Sequence, residues 1–532
     1  MRLDPRLPYR WALMTLLVVA IILAVSSGVI PIGSAQQQAE CTTKITLLQV
    51  NDVYQFAPVD RGTRGGIARV MTLKKEIQKE SPNTIFLLAG DTISPSVESI
   101  TYKGAQMIDS WNAAGLDYAT FGNHEFDFGP KPDVLLARMK ESRFVWLAAN
   151  VIDRTTGVAF GGAQPYVIRE FDGVKIGIFG LVLPETKTTS RPGPDIDFLN
   201  PCEVAQKTVK EIHGRGAKVV VALTHLSMRE DKEVARCADV DVIIGGHEHT
   251  LLESAAGGAP IFKMTADARE LGRIDLNISK TSGELESIDW KVIPVTSEIK
   301  EDPEFASVNN KYQGLMKELS EVLGRSTEPL DARSAESRTR ETNIGNFIAD
   351  TFRQALKTDV TLMNGGSIRA DTIISAGELT RRDVLSILPF KNKVVKLEVT
   401  GATLRAALEH GVGRSAEDSE PGRFPQVGGI RFTFDATRPS GSRIVTVTVN
   451  EQPLDNNRKY TLATMDFLAG GGDGYDMLKQ ARRLITPEQA ESDFDILRRT
   501  IMTARTIAPK IDGRIRRLDS AARQKPNCPS GR

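Results

Sequence analysis

A repeated pattern of short apolar runs between residues 44 and 300 constrains the fold of this chain more than any other feature. Each run ends in a polar or glycine-rich turn, and amphipathic stretches such as 66–80 separate several of them. Continuous Val, Ile and Leu runs that alternate with helical patterns are typical of strands covered on both faces. The sequence therefore predicts a layered α/β domain over residues 41–300. The runs are ITLLQV (45–50), TIFLLA (84–89), KIGIFGLVL (175–183), KVVVALT (218–224) and DVIIGG (241–246).

Acidic, amide and imidazole side chains follow these runs at the points where the predicted strands end. In layered α/β sheets, ligands bind in the crevice beyond the carboxyl ends of the strands, so these side chains are expected to meet at one edge. Four of the six histidines in the chain lie among them. The set comprises Asp52, Asp91, Asn123, His124 and Asp127 of the GNHEFD block (122–127), His225, and His247 and His249 of GGHEH (245–249).

These side chains suit a metal centre. Carboxylate, amide and imidazole groups bind Zn, Mn, Fe or Co, and one carboxylate can bridge two ions. Two ions roughly 3.5–4 Å apart stabilise the attacking and leaving oxygens of a phosphoryl displacement. His124 and Asp127 are three residues apart, which lets the carboxylate orient the imidazole. His247 and His249 are two apart, so an extended backbone would point both rings to one side. Each residue alone has an ordinary role in a cap, a turn or the core, but the ordered set predicts a two-metal site.

The pattern changes after residue 300, which indicates a second domain. Apolar residues recur at helical spacing from Phe305 to Leu319, so residues 301–329 are predicted to contain a linker helix, and a helix packed on the first domain is also compatible. The second domain is expected over residues 330–520, followed by a tail at 521–532. Its distinctive blocks are TNIGNFIAD (342–350), NGGSIR (364–369), LPFKN (388–392) and FLAGGGDGY (467–475).

The residues of this second region do not by themselves define its chemistry. Phe390 and Phe467 would ordinarily be core aromatics, although two rings can also enclose a planar base. Arg369 follows a Gly-Gly turn and suits either a phosphate or a surface salt bridge. The GGGDG segment lacks the spacing of a dinucleotide fingerprint or a P-loop, which excludes both.

The ordered blocks ND (51–52), GD (90–91), GNHEFD, TH (224–225) and GGHEH resemble those of the calcineurin-like metallophosphoesterases. With the blocks of its second half, the chain resembles more narrowly the bacterial secreted 5′-nucleotidase family, which includes UDP-sugar hydrolases and cyclic-nucleotide phosphodiesterases. The resemblance implies an α/β fold, with an N-terminal layered metallophosphoesterase β-sandwich flanked by helices. A linker helix and a C-terminal α/β substrate-binding domain would follow.

The resemblance also implies roles for individual residues. Two divalent ions, of Zn, Mn, Co or Fe, would be bridged by Asp91. The first ion would be held by Asp52, Asp91 and His249, and the second by Asp91, Asn123, His225 and His247. His124, oriented by Asp127, would stabilise charge on the phosphoryl group. The nucleotide would contact Arg338, Asn364, Arg369, Phe390, Asn392, Phe467 and Asp473, with the two aromatic rings around the base and Asp473 at the ribose.

One position departs from the family pattern. The usual first block is Asp-x-His, whereas this chain has Asp52-Val53-Tyr54. A neutral phenol, with a pKa near 10, is a poor ligand for Zn or Mn. Three interpretations remain open: Tyr54 coordinates a harder ion as phenolate, a water fills the position, or the first site binds its metal weakly. The hypothesis that follows is that one of the two ions is labile.

The resulting functional expectation is metal-dependent hydrolysis of nucleoside 5′-phosphates to nucleoside and phosphate. A sibling activity, 2′,3′-cyclic-nucleotide 2′-phosphodiesterase with 3′-nucleotidase or UDP-sugar hydrolase, fits the same motifs. A non-catalytic nucleotide-binding protein with a weakened first metal site is the third alternative. The chain has 68 basic and 67 acidic residues, a balance that argues against general affinity for nucleic acid polymers or anionic membranes.

The N-terminal segment predicts export. Positively charged residues precede an apolar run at 12–25, and Gly33-Ser34-Ala35 offers small residues at a cleavage site, so residues 1–35 are predicted to be a signal peptide. An uncleaved membrane anchor is the alternative. The protein is therefore expected in the periplasm or outside the cell, where disulfides persist. Of the pairings open to the cysteines, Cys202 with Cys237 is favoured.

Overall fold

The computed structural model describes residues 41–415 and 421–519. The predicted signal peptide and the C-terminal tail, with Cys528, lie outside the described residues. Among the described residues, no helix combines the length and the apolar character that crossing a membrane requires.

The first domain is built on two six-stranded sheets within the described residues. The first sheet has the order β14-β13-β1-β2-β3-β4, and the second has the order β11-β12-β10-β9-β7-β6. A short pair, β5 and β8, lies beside them. The strands are β1 (Thr42–Val50), β2 (Thr84–Ala89), β3 (Tyr118–Thr120), β4 (Val145–Leu147), β5 (Val151–Asp153), β6 (Tyr166–Phe171), β7 (Val174–Val182), β8 (Ile196–Phe198), β9 (Val219–His225), β10 (Val242–Gly245), β11 (Leu252–Ala256), β12 (Ala259–Lys263), β13 (Glu270–Ser279) and β14 (Leu285–Pro294).

Alternating side chains of the central strands build two separate cores. In β1, Ile45 and Leu47 pack in the core between the sheets, whereas Leu48 and Val50 pack in the core that includes the outer helices. Successive side chains of a strand point to opposite faces, so a strand buried on both faces is largely apolar, as β1 is over residues 45–50 apart from the buried Thr46 and Gln49. This confirms the predicted layered α/β fold.

Helices cover the outer faces of both sheets. They are α1 (Ile67–Glu80), α2 (Val97–Tyr102), α3 (Ala105–Ala114), α4 (Asp133–Glu141), α5 (Thr186–Thr189), α6 (Pro201–Gly214) and α7 (Met228–Cys237). Asn200 caps α6 by accepting a hydrogen bond from the Cys202 N–H at 2.9 Å, with Pro201 at the first helical position. A disulfide joins Cys202 at the start of α6 to Cys237 at the end of α7, which confirms the favoured pairing.

The helix α8 (Ala306–Leu319) follows the last strand of the first domain. Tyr312 packs edge-on against Tyr102, with ring centroids 4.8 Å apart, and belongs to the core of the first domain. Leu319, at the other end of the helix, belongs to the core of the second domain. The helix therefore packs on the first domain and ends within the second.

The second domain contains a five-stranded sheet of order β21-β17-β25-β20-β26, a four-stranded sheet of order β24-β23-β22-β28 and two smaller sheets among the described residues. Its strands are β15 (Val322–Ser326), β16 (Leu330–Asp331), β17 (Val360–Asn364), β18 (Ile373–Ile374), β19 (Gly377–Thr380), β20 (Val394–Thr400), β21 (Pro425–Gly428), β22 (Ile430–Phe434), β23 (Ile444–Val449), β24 (Gln452–Pro453), β25 (Lys459–Met465), β26 (Arg482–Ile485), β27 (Thr506–Ile507) and β28 (Ile515–Arg517).

The helices of the second domain are α9 (Ser334–Ser337), α10 (Asn343–Leu356), α11 (Arg381–Ile387), α12 (Gly401–Gly411), α13 (Asp466–Ala469) and α14 (Asp493–Ala504). The TNIGNFIAD block forms the start of α10, where the Thr342 hydroxyl accepts a hydrogen bond from the Gly345 N–H at 3.1 Å. Thr342 is therefore the N-cap of this helix.

Candidate metal centre and substrate cavity

The polar residues at the strand ends of the first domain converge on one pocket. Asp52 follows β1 and Asp91 follows β2, and both adopt left-handed backbone conformations with φ of 52° and 57°. Asp tolerates this region better than most residues, and the turn directs each carboxylate across the sheet edge. One potential ligand atom each of Asp52, Asp91 and His225 lies within 4.8 Å of the others. The structure thus brings together residues that are far apart in the sequence.

Glycines allow the loops to approach this closely. A Cβ atom at Gly122 would lie 2.0 Å from the Asp91 carboxylate, and one at Gly246 would lie 2.2 Å from the Ala89 carbonyl oxygen. Both distances are well inside van der Waals contact. The glycines of the GNHEFD and GGHEH blocks are therefore required by the packing of the site itself.

Two buried side chains in the pocket have polar atoms without a hydrogen-bond partner among the described residues. The His225 Nδ1–H donates to the Ala89 carbonyl at 2.8 Å, and Nε2 lies 3.4 Å from Asp91 Oδ2. Within residues 41–415 and 421–519, neither His225 Nε2 nor Asn123 Oδ1 has a hydrogen-bond partner. Burying such atoms without a partner costs free energy, and a divalent cation would remove the cost. The residues expected to hold the second ion therefore fit it.

The ring of His247 lies beside that of His225, with centroids 5.2 Å apart. The backbone N–H of His247 donates a hydrogen bond to Asp52 Oδ2 at 2.9 Å. His247 has a φ of 82°, so the expectation of an extended backbone from His247 to His249 is wrong. The left-handed turn sends the two rings to different partners: His247 packs against His225, and His249 packs against Tyr54.

The Tyr54 hydroxyl is the centre of a second cluster. It lies 3.2 Å from Asp52 Oδ1, 3.1 Å from Asp91 Oδ2 and 3.0 Å from His249 Nε2. Arg369 of the second domain donates to the same hydroxyl at 2.8 Å, and its guanidinium carbon lies 5.0 Å from the centre of the Tyr54 ring. Burial and the charge of Asp91 raise the pKa of Tyr54 well above its ordinary value. The Tyr54 hydroxyl thus lies among the three expected ligands of the first ion.

His249 is held by a residue that the sequence did not single out. Its Nδ1 lies 3.2 Å from Asp371 Oδ2, and its Nε2 lies 3.4 Å from Asp52 Oδ1. Burial by itself raises the pKa of Asp371, but the hydrogen bond and charge of His249, together with Arg269 and the Ser334 N–H, hold that pKa below its usual range. Asp371 lies two residues after NGGSIR, so the block that pointed to Arg369 was the only sequence signal near it.

His124 and Asp127 form the pair that their spacing predicted. The His124 Nδ1 lies 2.7 Å from Asp127 Oδ2, and the Asp127 carboxylate also accepts hydrogen bonds from Ser94 Oγ at 2.8 Å and Ser190 Oγ at 2.7 Å. The His124 backbone N–H donates to Asp91 Oδ1 at 2.8 Å. The imidazole is therefore fixed in orientation, with Asp91 anchoring the loop that carries it.

Glu125 lies within GNHEFD, but the sequence pattern did not predict a role for it. Its buried carboxylate accepts hydrogen bonds from the N–H groups of Asp91 at 3.0 Å and Thr92 at 2.7 Å. Burial, together with the charge of Asp91, raises the pKa of Glu125 to about 7. Glu125 ties the loop after β2 to the loop that carries His124.

The sequence pattern did not predict a role for Lys263 either. Its ammonium group is fully buried at the end of β12 and lies 2.7 Å from Asp231, with Glu248 as a second ion-pair partner. It also donates to the Leu226 carbonyl at 2.6 Å and the Gly246 carbonyl at 2.9 Å. Lys263 therefore connects the loops that carry His225, His247 and His249. A lysine inside the apolar segment PIFKM was the available signal, since buried lysines are rare unless paired.

The seven residues expected to bind the nucleotide line one cavity together with Asn123, His124, Asp127 and His247 of the first domain. The Phe390 ring stacks near His124, with centroids 5.7 Å apart and an interplanar angle of 29°. The Phe467 ring lies against Gly472, where a Cβ would be 2.5 Å from it. Asn364 donates to Asp473 at 2.6 Å. The cavity therefore runs from the metal pocket to the two aromatic rings. Its expected nucleotide contacts are Arg338, Asn364, Arg369, Phe390, Asn392, Phe467 and Asp473.

Comparison with known proteins agrees with this arrangement. The family model described as calcineurin-like phosphoesterase matches residues 45–251, and the model described as 5′-nucleotidase, C-terminal domain, matches residues 322–480. The layered sheets and the strand-end ligands thus define a phosphoesterase domain of the calcineurin-like class.

Individual relatives narrow the class. The chain is 30% identical to a 5′-nucleotidase of Diplobatis ommata, over 90% of this chain and 91% of that protein. It is 31% identical to a trifunctional nucleotide phosphoesterase of Bacillus subtilis, over 90% of this chain but only 35% of that longer protein. The crystal structure of a 5′-nucleotidase precursor from Thermus thermophilus superposes with a TM-score of 0.82 at 31% identity, over 90% of this chain and 99% of that one. The chain belongs to the 5′-nucleotidase family.

Proposed function

We propose that this protein hydrolyses nucleoside 5′-phosphates to nucleoside and phosphate at a site with two divalent ions. The observation that carries the proposal is the shared cavity: two expected metal ligands, Asn123 and His247, and the two aromatic rings lie on its walls, with His124 next to Phe390. A nucleotide whose phosphate lies at the metal pocket would therefore place its nucleoside against the second domain.

The donor sets support two ions of Zn, Mn, Co or Fe. Asp52, Asp91 and His249 would hold one, and Asp91, Asn123, His225 and His247 would hold the other. Asn123 Oδ1 and His225 Nε2 are buried without a hydrogen-bond partner among the described residues, and a bound cation would satisfy both, which supports the second set. When bound, the ions would polarise the phosphoryl oxygens and lower the pKa of a bound water.

The side chains of the cavity would stabilise the reacting phosphoryl group and bind the nucleotide. His124, held in one orientation by Asp127, would stabilise charge that develops on the phosphoryl group. Arg338 and Arg369 would bind the phosphate or orient the nucleotide. Phe390 and Phe467 would enclose the base, while Asp473 and Asn364, already joined at 2.6 Å, would receive the ribose hydroxyls.

A sibling activity is the second candidate. The relative from Bacillus subtilis is named a trifunctional nucleotide phosphoesterase, which supports action of this chain on more than one kind of nucleotide phosphoester. The intact pair of His124 and Asp127 weighs against the third candidate, a nucleotide-binding protein without activity.

A substrate panel tests these proposals. Chelator-treated protein would be assayed on AMP, 2′,3′-cyclic AMP and UDP-glucose, each with added Mn, Co, Zn or Mg. We expect metal-dependent phosphate release with AMP as the best substrate. The variant His124→Ala should lose this activity, whereas His213→Ala, which removes a histidine remote from the pocket, should retain it. Equal activity of the two variants would contradict the assigned centre.

We also propose that the protein is exported. The disulfide between Cys202 and Cys237 supports this proposal, because disulfides persist in oxidising compartments. Intact-mass measurement of protein from the extracytoplasmic fraction should give a chain that begins after residue 35. A chain that retains residues 1–35 would favour the membrane anchor.

A further inference from the structure

We propose that the second domain completes the first metal position, with Asp371 as the positioning residue that holds His249 ready to bind the ion. This inference rests on the proposed metal-dependent function. It adds that the two metal positions differ in kind: one is assembled across the boundary between the domains, and the other is built within the first domain.

Asp371 joins the two domains through two of its atoms and is anchored in its own domain by a third. Its Oδ2 lies 3.2 Å from His249 Nδ1, and its backbone carbonyl accepts a hydrogen bond from Arg269 at 3.2 Å. Its Oδ1 accepts a hydrogen bond from the Ser334 N–H at 2.7 Å within the second domain. The backbone of Asp371 is left-handed, with a φ of 47°, and its side chain is only 13% exposed. The carboxylate is thus fixed on both sides.

The contact decides which nitrogen of His249 carries a proton. A carboxylate next to Nδ1 favours a proton on Nδ1, which leaves Nε2 as the nitrogen that would bind an ion. Nε2 faces the pocket, 3.4 Å from Asp52 Oδ1 and 3.0 Å from the Tyr54 hydroxyl. Carboxylates that orient metal-binding histidines in this way typically contribute about 10–100-fold to metal affinity.

Arg369 reinforces the same boundary contact. It belongs to the second domain and donates to the Tyr54 hydroxyl at 2.8 Å, while Arg269 of the first domain reaches Asp371 in the opposite direction. Two side chains around the first position, His249 and Tyr54, are therefore each held by a residue of the second domain.

In the part of the chain that the structure describes, the two histidines of the second metal position are held from within the first domain. The Nδ1–H of His225 donates to the Ala89 carbonyl, and the backbone N–H of His247 donates to the Asp52 carboxylate. Loss of Asp371 should therefore weaken one ion and leave the other unchanged, which is an asymmetry that general destabilisation would not produce.

The test is the variant Asp371→Asn in the full-length chain. Asn has the same size as Asp, and its amide oxygen can still accept the hydrogen bond from the Ser334 N–H. The NH2 group then faces His249 Nδ1, and it cannot accept a hydrogen bond from that nitrogen. Chelator competition with Mn or Zn would give the dissociation constants of both ions. We expect one constant to rise about 10–100-fold and the other to stay at the wild-type value. Activity on AMP should fall at low metal concentration and recover at high metal concentration.

Two further variants make the outcome decisive. His249→Ala removes the ligand itself and should weaken the same ion, and Asp331→Asn makes the same chemical change at a partly exposed position that pairs with Arg333. Asp331→Asn should bind both ions as the wild type does. Unchanged constants in Asp371→Asn, or equal losses at both positions, would overturn the inference. Failure of the wild type to bind any ion would instead contradict the proposed function.

Discussion

Replacement of Lys263 by Met should destabilise the first domain strongly. The ammonium group is fully buried, and it lies between the carboxylates of Asp231 and Glu248 and two backbone carbonyls. Met fills a similar volume but leaves two buried carboxylates without a cation. Removing one partner of a buried ion pair costs about 3–5 kcal/mol, because the remaining charge is neither solvated nor paired. We expect a loss of this size in the free energy of unfolding at pH 8.

The loss should be smaller at low pH. Burial raises the pKa of Asp231 to about 6 even though Lys263 lowers it, so removal of Lys263 moves that pKa higher still. A carboxyl whose pKa is raised in the folded state destabilises the fold increasingly as pH rises above its unfolded pKa, near 3.9. Lys263→Met should therefore be closer to the wild type at pH 5 than at pH 8.

Urea unfolding followed by tryptophan fluorescence measures this change in the relevant domain. Apart from Trp11, the tryptophans are Trp111, Trp146 and Trp290, all in the first domain, so the second domain does not contribute. The control Lys218→Met removes a lysine that is 54% exposed and pairs with a 67% exposed Glu284. Surface pairs of this kind contribute about 0–1 kcal/mol.

A second variant isolates the role of charge. Combining Lys263→Met with Asp231→Asn and Glu248→Gln removes all three charges, and replacement of a whole buried ion cluster is often close to neutral. The triple variant should therefore recover most of the stability lost by Lys263→Met alone. A triple variant as unstable as the single one would refute the electrostatic reasoning and leave lost packing as the cause.

Three other substitutions give distinct outcomes. Asp127→Asn removes the negative charge beside His124 Nδ1 and replaces one acceptor oxygen by an NH2 donor, so kcat on AMP should fall about 10²–10⁴-fold with little change in KM, and steady-state kinetics that show an unchanged kcat would contradict the role of the pair. Tyr54→His restores the Asp-x-His block of the family, and imidazole is a better metal ligand than a neutral phenol. Chelator competition should therefore show at least about tenfold tighter binding of the weaker ion, and equal affinity would mean that Tyr54 is not at the metal position. Burial raises the pKa of Asp493 to about 8, so wild-type stability should fall as pH rises from about 4 to about 8. Asp493→Asn should lack that decrease in unfolding followed by circular dichroism, and a wild type whose stability does not change across this range would refute the assignment.

Much of the fold and of the pocket was predictable because its signals are local. Apolar runs with Asp, Asn or His directly after them specify strands and the edge at which they end, and the structure brings Asp91 and His225 together at that edge. The spacing of His124 and Asp127 likewise predicted their hydrogen bond. Both predictions rely on short segments whose geometry depends little on the rest of the chain.

The features that the sequence did not predict depend on distant contacts. Asp371 acts on His249 from 122 positions away, and nothing in the residues around Asp371 encodes the packing of the two domains. Lys263 binds Asp231 and Glu248 only after three strands have assembled. The left-handed turn at His247 also follows from tertiary packing, since it lets the N–H donate to Asp52.

Anomalous diffraction from crystals grown with Mn or Zn tests the central claim most directly. The account predicts two anomalous peaks about 3.5–4 Å apart with Asp91 between them, one near His249 and the other near His225 and His247. A single peak, or peaks that do not contact Asp91, would contradict a two-ion centre at these strand ends.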